Sequence, residues 1–133
     1  MELSAVGRPP QTPELWVICL CAQWCGTCRE YRAVFDAQAQ AHPDMHCVWV
    51  DVEDEPDLVG DLDVETFPTL LVGRVGAAGA ALDFAGPLLP QPAILERLLA
   101  QVVAAPIAAS AVPPGGDPEA LAVLRRVAVH RRL

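Results

Sequence analysis

Lysine and asparagine are both missing from this chain, so all nine of its basic residues are arginine. Alanine and proline are abundant, which together with those absences reads as GC-rich coding rather than as a functional signal. No apolar run reaches the roughly 18 residues that a membrane-spanning helix needs. Met1 to Thr12 show no basic stretch followed by an apolar core, so no secretory leader is expected. Positive charge is scarce where nucleic acid would need it. Residues 1–105 carry 15 acids against 5 arginines, a net charge of −10. A body this acidic lacks the basic stripe that phosphate binding requires, and an anionic membrane surface would repel it. Residues 106–133 reverse the sign, with 2 acids and 4 arginines. The five cysteines, at 19, 21, 25, 28 and 47, are odd in number and do not suggest a closed disulfide scaffold. A reducing, cytoplasmic setting is therefore expected. What the chain does have is length and apolar content. Its 133 residues suit one domain, and 53% hydrophobic against 20% charged residues exclude wholesale disorder.

The order of elements follows from the patterning. Residues 1–13, with Pro9, Pro10 and Pro13, read as a loose arm. Trp16 to Ala22 are continuously apolar over the length of a strand, as expected for a strand covered on both faces. A helix follows from about Thr27 to Ala41, with Tyr31, Val34 and Phe35 on one face. His46 to Asp51 read as a second strand, and Glu55 to Leu62 as a short helix with Pro56 in its first turn. Thr69 to Val72 and Ala81 to Ala85 read as a hairpin around a glycine-rich turn at 73–79. Gln91 to Ala104 form a helix with an apolar stripe from Ile94 to Val102. The resulting β-α-β-α-β-β-α order predicts an α/β fold, a mixed sheet between helices. Pro106, Pro113, Pro114 and Gly115-Gly116 mark a linker. Asp117 and Pro118 then start a terminal helix that runs to about His130, with Leu121, Leu124 and Ala128 on one side. The domain division is 1–104 for the body and 105–133 for linker and helix. That helix is expected to fold back over the sheet.

Trp24-Cys25-Gly26-Thr27-Cys28 is the most informative segment, because it joins a buried strand to the start of a helix. Unpaired N–H groups and the helix dipole favour an anion there. Cys25, just outside the helix, is expected to be the attacking thiolate, with Arg29 and Arg32 adding positive charge. Cys28 lies one turn deeper, a spacing at which the two sulfurs can reach disulfide geometry. Structural or zinc-binding roles for the pair stay open at this point; zinc would need two further ligands. Cys19, Cys21 and Cys47 read as small core residues. Trp16 and Trp49 also read as core, and His42, His46 and His130 as surface. The eight acids between Asp51 and Glu65 read as a solvated face. The arginine-rich end reads as a capped surface helix, or else as a docking element for an acidic partner or for the chain's own acidic face.

Trp-Cys-Gly-Thr-Cys on a strand-to-helix turn resembles the thioredoxin family, whose usual motif has proline where Thr27 stands. The resemblance continues at Val64 to Thr69, the family segment whose proline, here Pro68, is cis and faces the active cysteines. Gly86 matches a glycine near the family's substrate groove, and Asp51 an acid ending the central strand. Coverage runs over about residues 14–104. The family's first strand–helix unit is expected to be missing or reduced here. The family's buried aspartate is Cys19, a tryptophan four residues before the first active cysteine is Cys21, and a lysine is Cys47. The resemblance implies a thioredoxin-like fold and protein-disulfide reduction, with Cys25 attacking and Cys28 resolving. It further implies a groove framed by Trp24, Gly26, Thr27, Phe67, Pro68 and Gly86, and no cofactor or metal. The implied partners are disulfide-containing proteins and a thiol or flavoprotein reductant. An alternative is a non-catalytic adaptor or assembly chaperone of the same fold.

Overall fold

In a computed structural model of the chain, residues 13–77, 79–104 and 118–132 are described. The expected N-terminal arm, apart from Pro13, and the proline- and glycine-rich linker at 105–117 lie outside them. The elements are β1 (Glu14–Cys21), α1 (Gly26–Ala41), β2 (His46–Asp51), α2 (Pro56–Val59), β3 (Thr69–Gly76), β4 (Gly79–Pro87), α3 (Pro92–Ala104) and α4 (Pro118–Arg132). They form the expected mixed sheet flanked by helices, in strand order β2-β1-β3-β4. β1 pairs parallel with β2 and antiparallel with β3, and β4 closes the hairpin. β1 is thus an inner strand. Its residues from Trp16 onward are all buried, which explains why the segment shows no apolar–polar alternation.

Side chains that alternate along β1 serve two separate cores. Val17, Cys19 and Cys21 face α1 and α3, where they meet Cys28, Tyr31, Phe35, Leu95 and Leu99. Trp16, Ile18 and Leu20 face the other way and are covered by Ala120, Val123, Leu124, Val127 and Ala128 of α4, with Leu58 and Val59 of α2. The terminal helix therefore folds back and supplies one layer of the sandwich. Its buried face centres on Val123, Leu124 and Val127, and Leu121 is only half-buried.

Two glycines explain where the element boundaries differ from expectation. Gly73 was expected in a turn, yet β3 runs through it to Gly76, with a register shift between Val72 and Gly73. A Cβ at Gly73 would lie 2.5 Å from the Ala81 carbonyl oxygen and 2.6 Å from Leu124 Cδ2. The residue is small so that α4 can approach the sheet. Gly60 ends α2 after one turn, at φ 59°, a left-handed conformation open to glycine. A Cβ there would meet the Arg126 guanidinium, which donates to the carbonyls of Leu58 at 3.0 Å and Val59 at 3.2 Å. Arg126 of α4 thus satisfies backbone groups at the end of α2.

The arginine-rich end is accordingly more than a surface helix. Arg131 donates to both carboxylate oxygens of Glu55, at 2.6 and 2.7 Å, so the tail docks on the chain's own acidic segment. His46, expected as a surface residue, stacks on Trp16 with ring centroids 4.3 Å apart and bonds Glu14 at 2.9 Å. Trp49 is half-buried, edge-on to Phe35 and under the Arg32 guanidinium. Among the described residues no helix is long and apolar enough to cross a membrane.

Candidate active site

The site is built where β1 and β2 end side by side. Cys21 pairs with Asp51 in the parallel register, and the Val52 N–H donates to the Cys21 carbonyl at 2.9 Å. The Asp51 carboxylate then ties two loops together. One oxygen accepts the Gln23 N–H at 2.8 Å, and the other accepts those of Glu53 and Asp54 at 2.9 and 3.1 Å. A tight turn closes with the Cys25 N–H donating to the Ala22 carbonyl at 3.0 Å. Cys25 lands at the N-cap of α1 in an extended conformation, half-buried, with Gly26 and Thr27 exposed beside it. Its side chain makes no capping hydrogen bond.

The aromatic rim is held in place. Trp24 is 61% exposed, yet its indole N–H donates to Glu53 Oε2 at 2.8 Å and its ring meets Phe67 edge-on at 5.8 Å. The Phe67–Pro68 peptide bond is cis. Phe67 and Cys25 both pack against the core on the α1 face. Gly86 pairs across the hairpin with Leu70, two residues beyond Pro68, and lines a cavity of about 280 Å3 with Leu62, Thr66 and Ala120. Arg29 and Arg32 also have other engagements. Arg29 donates to the Gln23 carbonyl at 3.0 Å, while Arg32 pairs with Asp36 and covers Trp49.

The sulfur chemistry departs from the expected Cys25–Cys28 pairing. Cys28, fully buried in the first turn of α1, is disulfide-bonded to Cys21, with Cα atoms 5.8 Å apart. Cys25 is free. The reason lies in strand periodicity. Cys21 ends β1 with its side chain on the α1 face, where the first turn of the helix passes over it. Reading Cys21 as a plain core residue missed this, although the spacing Val17, Cys19, Cys21 carried the signal. The Ala22 N–H also points at Cys28 Sγ, at 3.4 Å. The other two thiols are subdued. Burial pushes Cys19 far up, offset in part by Arg32, and pushes Cys47 up to about 11. Among the described residues, no group of three or more His, Cys, Asp or Glu is arranged to hold a metal ion. A cavity of about 630 Å3 opens beside Cys28, lined by Ala22, Arg32, Trp49, Asp51 and Arg131 among others.

A family model described as Thioredoxin matches residues 10–97, which include the two strands, the cysteine turn and the cis proline. The chain belongs to the thioredoxin family. It is 33% identical over 75 residues to a protein named putative thioredoxin 2 of Streptomyces coelicolor, covering 56% of this chain and 54% of that one. It is 35% identical over 60 residues to the mitochondrial thioredoxin-3 of Saccharomyces cerevisiae, covering 45% and 47%. The chain thus spans about half the length of these curated relatives. The crystal structure of oxidised mitochondrial thioredoxin 3 from S. cerevisiae superposes with a TM-score of 0.55 at 27% identity, over 68% of this chain and 81% of that one. Within the thioredoxin-family fold, α4 covers one sheet face as expected, and the main departure is that Cys28 bonds backward to β1.

Proposed function

We propose that this protein exchanges disulfides with protein substrates, acting as a reductase, with Cys25 attacking and Cys28 resolving the mixed disulfide. One observation carries the reading: the half-exposed free thiol stands at a helix N-cap beside an aromatic rim, with a disulfide-forming cysteine one turn inside the same helix. The Cys25 thiolate attacks one sulfur of the substrate disulfide and expels the other as a thiolate. The Cys28 thiolate then attacks Cys25 Sγ and releases the first. Trp24 and Phe67 give an extended substrate chain apolar surface to lie on. The Pro68 carbonyl already accepts the Leu88 N–H at 3.1 Å and the Thr66 carbonyl the Thr69 hydroxyl, so strand-like pairing with substrate falls to the backbone of Phe67. Electrons would come from a thiol or flavoprotein reductant in a reducing compartment, the cytoplasm.

The test is insulin reduction with dithiothreitol as electron source. The wild-type chain should accelerate precipitation of the insulin B chain, and Cys25→Ser should remove the acceleration. An equal rate with and without the protein would overturn the reading and favour a binding module built on the same fold.

A further inference from the structure

We infer that Cys21 is a third redox cysteine, which takes the disulfide from Cys25 and Cys28 and moves it into the core. This deepens the proposed exchange activity and rests on it. The argument starts from position. Cys28 stands at the third residue of α1, and Cys25 at its N-cap. An N-cap side chain naturally reaches the third helical residue, as in a capping box. Cys21 reaches the same sulfur from the strand beneath, its Cα 5.8 Å from that of Cys28, within the span a disulfide bridges without backbone movement. Cys28 therefore lies between two thiols of opposite character: Cys25 half-exposed, Cys21 fully buried.

The step balances without any further reactant. After a substrate has been reduced, Cys25 and Cys28 share a disulfide. The Cys21 thiol gives up its proton and attacks Cys28 Sγ. The Cys28–Cys21 bond forms, the Cys25–Cys28 bond breaks, and Cys25 leaves as a thiolate that takes the proton. No electrons are gained or lost. The Ala22 N–H at 3.4 Å from Cys28 Sγ steadies charge on that sulfur whenever it is thiolate. Cys19 shares the face but stays a thiol, held so by burial. The outcome is the arrangement observed here: an internal disulfide with Cys25 free. Reduction runs backward along the same route, since Cys25 is the sulfur that meets solvent.

The experiment follows the three sulfurs in time. The reduced full chain is mixed with insulin, quenched with acid at intervals, labelled with N-ethylmaleimide and cut with chymotrypsin without reduction. Cleavage after Trp24 separates Cys21 from the peptide holding Cys25 and Cys28. A disulfide within that peptide should appear first. It should then give way to a cross-link between the Cys21 peptide and Cys28, with the label on Cys25. Cys25→Ser should form the Cys21–Cys28 bond from insulin about a hundredfold more slowly or worse, because exchange requires an accessible thiolate. If the wild-type chain reduces insulin but stops at Cys25–Cys28, the relay is wrong and the oxidoreductase reading stands. If Cys25→Ser forms the inner bond as fast as wild type, that bond is structural and the relay is wrong. If the chain holds Cys21–Cys28 yet never reduces insulin, the oxidoreductase reading fails and the relay with it.

Discussion

The two faces of the sheet are covered in different ways. On one face, α1 and α3 follow directly on β1 and β4 in the chain, and the layer they make contains Cys19, Cys21 and Cys28. On the other, the cover is mostly α4, which arrives last and brings no sulfur. The sulfur-bearing part of the first face, β1 and α1, is made of close neighbours in sequence, so the spacing between reacting sulfurs is set by one strand, one turn and one helix. The second face has only to be apolar and the right shape. A helix from the far end of the chain can serve there.

Ending the chain at Ala104 is the largest perturbation of that contrast. Fully burying a Val or Leu side chain contributes about 1.5–3 kcal/mol, so losing Val123, Leu124 and Val127 approaches the roughly 5–15 kcal/mol that holds a whole domain together. The truncated chain should be unfolded or self-associated by circular dichroism and size-exclusion chromatography; a monomer with unchanged melting temperature would show that α4 is dispensable. Gly73→Ala attacks the same face from the sheet side. With backbone on one side and Leu124 on the other, it should cost about 1–3 kcal/mol in urea denaturation. Arg126→Ala removes the two bonds to the α2 carbonyls and should lower stability by about 1–2 kcal/mol, with the denaturant slope unchanged.

The smallest effect belongs to the other face. Asp83 pairs with Arg74 at 3.2 Å, and Arg74 also donates to the Val102 carbonyl at the end of α3. Burial raises the Asp83 pKa, opposed by Arg74. A raised carboxyl contributes stability that is complete below its unfolded pKa and is lost as pH rises through the folded one. Wild type should therefore gain on Asp83→Asn as pH falls from neutral into the carboxylate range. A stability difference that stays flat over that range, measured by urea titration, would contradict the burial argument.

Much of the fold was legible because continuous apolar runs and helical stripes are strong signals, and the cysteine turn sits between two of them. The less legible parts turned on close approach. Gly73 looks like turn chemistry in sequence, yet its smallness answers to Leu124 more than fifty residues away. Glu55 and Arg131 are individually ordinary surface charges, and only the fold-back of α4 pairs them. For the site, Cys25, Trp24, Phe67 and Pro68 could be named from the motif and its downstream match. Cys21 was passed over despite its alternation with Val17 and Cys19, because a cysteine at the end of a buried strand has a ready explanation as core packing. Its bond depends on which way the strand end faces.

The placement of α4 also constrains the order in which the molecule can be made. Trp16, Ile18 and Leu20 emerge early in synthesis, but the helix that shields them follows roughly a hundred residues later, and contacts so distant in sequence form slowly. At about 5–20 residues per second, one side of a nascent sheet would stay wet and adhesive for many seconds. The α1 side can consolidate meanwhile from local pieces. A growing chain of this protein therefore passes through a half-finished state whose bare surface invites chaperones or neighbouring chains.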